Sequence, residues 1–175
     1  MGMPAETFDE SFVPDASNQR QMRDALGLFS TGVTIVTALS ENGPAAITAN
    51  SFSSVSLTPP MVLWSLDRQS SRYQTFANAS HYAIHVLSAK QESLCMEVAR
   101  NPMRLHELNP RQNEYGVPVL DDCLVRFDCQ REALYEGGDH VIILGNVQLV
   151  TTPDDCQPLA FFGGRTGTFT SHCNL

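Results

Sequence analysis

The feature that most constrains this chain is a tight turn between two segments that favour extended backbone. Residues 33–39, VTIVTAL, are rich in β-branched side chains, and residues 45–48, AAIT, resume an extended pattern. The turn between them contains Asn42-Gly43, a strong hairpin signal because both residue types accept positive φ. The sequence therefore predicts a β-hairpin over residues 33–48, and with it antiparallel strand pairing.

Further segments have the composition or the alternation of strands. They cover residues 61–66, 81–87, 124–135, 141–150 and 159–162. Six or seven strands against three helices, with no strand–helix alternation, argue against a parallel sheet with crossover helices. Short connections favour an antiparallel sheet closed into a barrel, with helices at its side. The predicted fold is therefore mainly β.

Three segments are predicted to be helical. The first begins at Ser17 as its cap and runs to about residue 30. Its apolar side chains fall on one face at helical spacing: Met22, Ala25, Leu26 and Phe29. The second covers residues 70–79, and the third follows a capping box at residues 88–91 and ends near residue 100. Residues 1–17 are predicted to be a flexible arm, and residues 101–118 and the C-terminal tail to be irregular.

Charge and hydropathy exclude several classes of partner. The chain has 19 acidic and 11 basic residues and a formal charge of -8, which disfavours nucleic acid and anionic membranes. No apolar run reaches transmembrane length, and the N-terminus lacks the basic and apolar regions of a signal peptide. We therefore expect a cytoplasmic protein without nucleic-acid or membrane partners.

Residue types that often ligate metals are not arranged as a metal site. His81 and His85 are four residues apart, which on a strand separates them by ~13 Å, because strands rise ~3.3 Å per residue. The five cysteines form no CxxC motif, which predicts free thiols. Neither a GxGxxG motif nor a P-loop is present, so any nucleotide would bind without a Rossmann site. No metal is expected.

Two polar segments are candidates for ligand binding. Residues 48–60, TANSFSSVSLTPP, form either an edge strand with solvated hydroxyls or a barrel wall whose buried polar groups meet a ligand. A planar heteroaromatic ring with a carbonyl, ring nitrogens and a phosphate would match that second alternative. His140 follows EGGD and opens a strand, and its two preceding glycines allow a tight turn or close approach to a ligand. Taken alone, a surface histidine in a hairpin turn is the simpler interpretation.

Four motifs in one order resemble a known family. TGVTIVT, TANSFSSVSLTPP, EGGDHVIILG and FFGGR are similar to segments of the short-chain flavin reductases with the FMN-binding split-barrel fold, from about Arg23 to Arg165. The resemblance implies an antiparallel Greek-key split β-barrel with flanking helices over residues 18–175, working as a homodimer. It also implies that NADH or NADPH reduces FMN or FAD, and that the reduced flavin passes to a separate flavin-dependent monooxygenase.

The resemblance further implies which residues form the site. His140 is placed at the nicotinamide side, where it positions the rings, since hydride transfer needs no general base. Asn50 and Ser51 would stabilise charge on the reduced flavin. Ser70 and Arg72 stand where relatives hold phosphate, and Arg165 lies near the nicotinamide side. The implied flavin-contacting residues are Thr31, Val33, Thr34, Ala49, Asn50, Ser51, Ser56 and Leu57.

Several alternatives stay open at this point. The fold could instead hold flavin tightly and reduce a corrinoid or ferric ion, or it could bind flavin without enzymatic activity. A 2′-phosphate of NADPH could be held by Arg72, Arg126 or Arg131. His85 stands where many relatives have Asn, and FFGGRTGTF lacks the tyrosine that commonly follows the arginine. The contact at residue 85 and an aromatic cover over the cofactor are therefore not predicted.

Overall fold

The structure is a computed structural model that describes residues 11–101, 103–152 and 157–170. Its α-helices are α1 (Gln19–Leu26), α2 (Tyr73–Asn78), α3 (Glu92–Arg100) and α4 (Arg104–Leu108). Its strands are β1 (Thr31–Gly32), β2 (Thr34–Ser40), β3 (Gly43–Ala49), β4 (Ser53–Leu57), β5 (Pro60–Asp67), β6 (His81–Val86), β7 (Val125–Gly137), β8 (His140–Thr151), β9 (Leu159–Phe162) and β10 (Arg165–Thr168). The first ten residues of the predicted arm lie outside the described residues, as do Cys156 and Cys173.

Seven strands form one antiparallel sheet in the order β3-β2-β6-β7-β8-β5-β4. Its two edge strands, β3 and β4, are consecutive in the chain and are joined by residues 50–52 alone. Laid flat, seven strands would separate the two edges by ~29 Å, at ~4.8 Å per spacing. Three linking residues span no more than ~14 Å. The sheet therefore curls until its edges approach, which gives a barrel split between β3 and β4 and confirms the predicted mainly β fold.

The predicted hairpin forms between β2 and β3, but its turn lies one residue earlier than the Asn-Gly pair indicates. Ser40 pairs with Gly43, so Glu41 and Asn42 are the turn residues. Gly43 has a φ of 102° and follows the turn, as the glycine of a bulged hairpin does. A Cβ at this glycine would clash with the His106 ring, so a side chain here would require that ring to move.

The first helix differs most from its prediction. It begins at Gln19 with Asn18 as the N-cap residue, because the Ser17 hydroxyl donates to Asp15 Oδ1 at 2.6 Å instead of capping the helix. It ends at Leu26 rather than near residue 30. Its apolar face is not buried within one chain, since Leu26 is 62% exposed and Phe29, beyond the helix end, is 77% exposed.

Other predicted elements shift at their ends. The helix predicted over residues 70–79 is the shorter α2, and residues 101–118 contain the unpredicted helix α4. The capping box at residues 88–91 is confirmed: its first turn is a 3-10 turn, and α3 continues to Arg100. The tail is not wholly irregular, because β10 pairs with β9. Pro60 begins β5 instead of ending the polar segment.

The two larger of three buried clusters hold most of the fold together. One fills the barrel with large side chains that include Trp64, Phe76 and Tyr82. The other packs α3 and α4 against the outside of β2 and β3, through Ile35, Val98 and other apolar residues. β1, β9 and β10 form a separate three-stranded sheet. Among the described residues, no helix has both the length and the apolar character needed to cross a membrane.

Candidate functional site

Two threonines near the start of the barrel differ in their hydrogen bonding. Thr34 is buried, and its hydroxyl donates to the Ala49 carbonyl oxygen at 2.7 Å. Thr34 therefore supports the pairing of β2 with β3. Thr31 lies in β1, and its buried Oγ1 has no hydrogen-bond partner in the described part of the chain. Because an unpaired buried hydroxyl is costly, Thr31 is the stronger candidate for a ligand contact.

Most hydroxyls of residues 48–60 are bonded to backbone of the same chain. Thr48 Oγ1 donates to the Cys95 carbonyl at 3.1 Å. Ser51 Oγ accepts from the Ser65 amide at 3.0 Å and donates to the Ser65 carbonyl at 3.2 Å. Ser56 Oγ accepts from the Thr58 amide at 3.2 Å. β4 is an edge strand, as one of the two alternatives predicted, and its Leu57 is 93% exposed.

A depression of about 270 Å³ lies where β3 ends, between the barrel and α3. Val33, Ala49 and Asn50, three of the predicted flavin contacts, form part of its wall. Met96 and Phe161 line it with apolar surface. Asn50 is exposed, so its side-chain amide is free to meet a ligand. The structure thus brings together these three predicted residues.

This depression shares wall residues with a second one, which in turn shares wall residues with a third. Phe161 also lines a depression of about 360 Å³ beside Gly163, Gly164 and Arg23. Arg23 in turn lines one of about 560 Å³ that contains His140. We call the three together the groove. Asn50 lines one of the three depressions and His140 lines another.

His140 is held at the tip of the hairpin between β7 and β8. It opens β8 opposite Gly137, so the predicted turn at GGDH is confirmed. Its Nδ1 lies 2.7 Å from Asp139 Oδ1. This hydrogen bond lowers the pKa of the Asp139 carboxyl below its ordinary value, so that carboxyl is ionised at neutral pH. The His140 ring is partly exposed and faces the groove beside Gln19 and Met22.

The remaining predicted residues do not line the groove. Ser70 Oγ accepts from the Arg72 amide at 3.2 Å. Arg72 Nη2 donates to the Val98 carbonyl at 2.9 Å, and its Nε is buried without a partner in the described segments. Burial lowers the pKa of this guanidinium. Arg165 opens β10 with an exposed side chain. The other predicted residues outside the groove lining are Thr31, Thr34, Ser51, Ser56 and Leu57.

The other two arginines considered for a 2′-phosphate make contacts within the chain. Arg126 forms an ion pair with Asp128, with Nε and Oδ1 3.1 Å apart. Arg131 Nη1 donates to the Ala77 carbonyl at the end of α2. These contacts engage both guanidinium groups, and neither residue lines the groove.

His85 is a structural histidine. It is fully buried, its Nδ1 lies 3.0 Å from the Ile35 carbonyl oxygen, and its Nε2 accepts from the Leu120 amide at 3.1 Å. Accepting at Nε2 means that Nδ1 carries the proton and donates. Burial lowers the pKa of His85 to about 4, so the ring is neutral. In the described segments, no group of three His, Cys, Asp or Glu side chains could hold a metal.

The structure adds residues that the sequence did not nominate. Phe161, Met96 and Arg23 line the groove, and Asp139 bonds the His140 ring. Phe161 lies within FFGGR and Asp139 within GGDH, so the motifs contained both. Met96 had no local signal, because it reaches the groove only through the packing of α3 against β3. Cys95, Cys123 and Cys129 are free, as predicted, and buried.

Comparison with known proteins identifies the family. Residues 26–170 match the family model for the flavin reductase like domain. The chain belongs to this family. The FMN reductase (NADH) SmoA of Agrobacterium fabrum is 49% identical over 91% of this chain and 91% of that protein. The reductase component of the flavin-dependent trigonelline monooxygenase of Acinetobacter baylyi is 42% identical over 79% of this chain, which covers 46% of that protein.

A solved flavin reductase structure has the same fold. NADH:FAD oxidoreductase SgcE6 of Streptomyces globisporus, determined with NAD and FAD fragments, superposes with a TM-score of 0.85. The two sequences are 32% identical, and the alignment covers 94% of this chain and 100% of that one. The resemblance to flavin reductases and the split-barrel fold are thus confirmed.

The open polar groups of this flavin reductase family member fit a flavin. The flavin ring presents carbonyl oxygens and ring nitrogens along one edge and apolar surface on its faces. The Thr31 hydroxyl and the Asn50 amide could donate to that edge. Thr31 pairs with Phe161 in the small sheet, so its unpaired hydroxyl lies next to the apolar wall of the groove. A few polar groups on an apolar wall are typical of cofactor sites.

Proposed function

We propose that this chain is an NADH-dependent flavin reductase, which transfers hydride from NADH to FMN or FAD and supplies the reduced flavin to a separate monooxygenase. The observation that carries the proposal is the groove, whose three depressions share wall residues and include both the exposed Asn50 amide and His140 in their lining. The near full-length similarity to an NADH-dependent FMN reductase supports the choice of NADH as the reductant.

The protein contributes binding and orientation to this reaction. A bound flavin supplies the redox chemistry, accepting hydride from the nicotinamide at its N5. Asn50 and Thr31 would hold the ring through hydrogen bonds that strengthen as negative charge develops on it. Val33, Met96 and Phe161 would exclude water from its apolar face. His140 would fix the nicotinamide end, so the rate gain comes mainly from proximity and orientation.

The proposal includes release of the reduced flavin. Two of the three depressions have mostly apolar walls that offer few polar contacts. Such a site suits modest affinity and exchange of flavin with solution, as delivery to a second protein requires. The relatives named as reductase components of monooxygenases support a monooxygenase as the recipient.

A homodimer is also part of the proposal. Large apolar side chains are exposed in the single chain, including Phe29 at 77% and Leu57 at 93%. Large exposed apolar side chains are enriched at protein interfaces. Analytical ultracentrifugation is expected to give twice the chain mass; a monomer at micromolar concentration would contradict this part alone.

The test of the function is NADH oxidation by the dialysed protein, with and without added FMN or FAD. We expect turnover that requires added flavin, saturates with it, and stops when flavin is withdrawn. Addition of ferric ion or a corrinoid without flavin serves as the control for other acceptors. Yellow colour that survives dialysis, with turnover independent of added flavin, would contradict the diffusible-flavin proposal.

A further inference from the structure

The hairpin that carries His140 has a defined geometry. Gly137 pairs with His140, which leaves Gly138 and Asp139 as the two turn residues. Gly138 has a φ of 74°, as the first position of a type II′ turn requires. A two-residue hairpin loop of this kind has little freedom, so the Asp139 and His140 side chains start from fixed backbone positions.

The neighbouring strand fixes the turn from a second side. The Arg68 amide donates to the Asp139 carbonyl at 3.1 Å, and Asp67 pairs with His140 across β5 and β8. The Arg68 guanidinium bonds Glu136 on β7 and donates to the Tyr73 hydroxyl at 3.3 Å. Asp139 is thus anchored by its backbone, while its carboxylate remains free to bond the imidazole.

The bond between Asp139 and His140 decides which ring nitrogen carries a proton. An ionised carboxylate only accepts hydrogen bonds. The 2.7 Å contact to His140 Nδ1 therefore requires that Nδ1 donates. In the neutral ring the second nitrogen, Nε2, is then an acceptor. Since His140 lines the groove, Nε2 is the ring atom left for a ligand.

We propose that Asp139 is a positioning residue for hydride transfer, which acts through His140 to present Nε2 as an acceptor for the carboxamide N–H of the nicotinamide. This inference rests on the proposed function and goes beyond it by assigning a role to Asp139 and a hydrogen-bond direction to the site. In this assignment Asp139 acts through the imidazole and not through a hydrogen bond of its own to the carboxamide.

The assignment has a consequence for specificity. A carboxamide offers an N–H₂ donor to Nε2, whereas a carboxylate in the same place offers only acceptors. A site built to bond one hydrogen-bonding pattern discriminates against an analogue that lacks it, because the site's polar group is left unpaired. The oxidised dinucleotide NAD should therefore inhibit better than nicotinic acid adenine dinucleotide, which differs only by that carboxylate.

The kinetic test compares Asp139→Ala with Asp139→Glu and a matched charge control, Glu132→Gln, an exposed carboxylate on the same hairpin. Loss of one hydrogen bond predicts that Asp139→Ala raises KM for NADH about threefold to tenfold, with kcat changed less than about twofold and KM for flavin unchanged. The preference for NAD over nicotinic acid adenine dinucleotide should shrink by a similar factor. Asp139→Glu should recover part of this preference, and Glu132→Gln should have the KM for NADH and the preference of the wild type.

The structural test needs no turnover. In protein labelled with ¹⁵N-histidine, the His140 signals, assigned by their loss in His140→Ala, should show a protonated Nδ1 and an unprotonated Nε2 at a pH where the ring is neutral. Asp139→Ala should lose that preference. A failure of flavin-dependent turnover would leave these spectra unaffected and would count only against the proposed function. A wild-type ring protonated at Nε2, or Asp139→Ala with unchanged NADH KM in an active enzyme, would overturn the assignment of Asp139.

Discussion

His85 and His140 are both histidines of barrel strands, but one lies in the sheet interior and the other at the mouth of the groove. The chain itself uses both nitrogens of His85, which bond Ile35 and Leu120. Among the described residues, it uses one nitrogen of His140, which bonds the carboxylate of Asp139. Residue type therefore does not decide whether a histidine has a structural or a ligand-binding role. What decides it is whether the chain satisfies every polar atom of the side chain or leaves one open.

The same contrast separates two threonines three residues apart. Thr34 donates to Ala49 and so supports strand pairing, whereas the buried Thr31 hydroxyl has no partner in the described structure. Replacing a residue whose polar atoms are all hydrogen-bonded should lower stability. Replacing a residue with an unbonded polar atom should weaken ligand binding. The predictions below test this division.

The largest effect is expected for His85→Ala. It removes the partner of the Ile35 carbonyl and of the Leu120 amide and leaves a cavity, so the free energy of unfolding should fall by about 3 kcal/mol. Urea denaturation measures this loss. The folded fraction should retain its KM values for NADH and flavin.

His81→Ala is the matched control for that variant. His81 lies on the same strand, and its ring stacks on Tyr115 with centroids 4.8 Å apart. Loss of this partly exposed stack should cost no more than about 1 kcal/mol. Equal losses in the two variants would show that the buried hydrogen bonds of His85 are not what matters.

The buried state of His85 also predicts a pH dependence of stability. Its pKa in the folded protein, about 4, lies below the ordinary value of 6.5, so the unfolded chain binds the proton first. The stabilising contribution is fully present above pH 6.5 and is lost as pH falls from 6.5 to 4. At ~1.4 kcal/mol per pH unit the loss reaches about 3 kcal/mol.

Urea midpoints measured across this pH range in the wild type and in His85→Asn isolate the effect, because other groups titrate equally in both. The wild type should lose more stability than the variant as pH falls. Parallel curves would mean that His85 takes up its proton equally in the folded and unfolded states.

His140→Ala should show the reverse pattern. The His140 ring is partly exposed, so the free energy of unfolding should change by less than about 0.5 kcal/mol. KM for NADH should rise about tenfold, since a ligand loses its hydrogen bond to an open acceptor. Steady-state kinetics at saturating flavin measures this change. An unchanged KM with lowered stability would place His140 with His85 among the structural residues.

The smallest effect is expected for Thr31→Val, and the direction of its stability change is the informative part. Valine has nearly the same shape but no hydroxyl to leave unpaired, so stability without ligand should stay equal or rise by up to about 1 kcal/mol. Flavin binding should weaken about threefold to tenfold. Thr34→Val is the control, and it should lower stability because it removes the bond to Ala49.

Local sequence signals predicted most of the fold. β-Branched runs located the long strands, the capping box preceded α3, and four motifs in order were enough to indicate the family. The errors came where long-range contacts decide. The apolar face of α1 has the spacing of a buried helix, yet none of the residues of this helix is buried in the described part of the chain. The turn moved to Glu41-Asn42 because pairing of β2 with β3 sets the register.

The site was less predictable than the fold. Asn50 and His140 were nominated, but only the folded chain shows that Phe161 and Arg23 line the depressions beside them. The hydroxyls of Ser51 and Ser56 bond backbone that no sequence pattern reveals. The cofactor roles of the nominated residues, the flexible arm and the cytoplasmic location stay predictions.

The central claim is that the groove brings NADH and flavin together for hydride transfer. The most direct measurement is anaerobic single-turnover reduction of FMN or FAD. The protein and flavin are mixed with NADH, and reduction is monitored as the loss of flavin absorbance. We expect the wild type to bleach the flavin rapidly, at a rate that saturates with NADH. His140→Ala should require about tenfold more NADH for the same rate. Bleaching no faster than in a mixture of NADH and flavin without protein would contradict it.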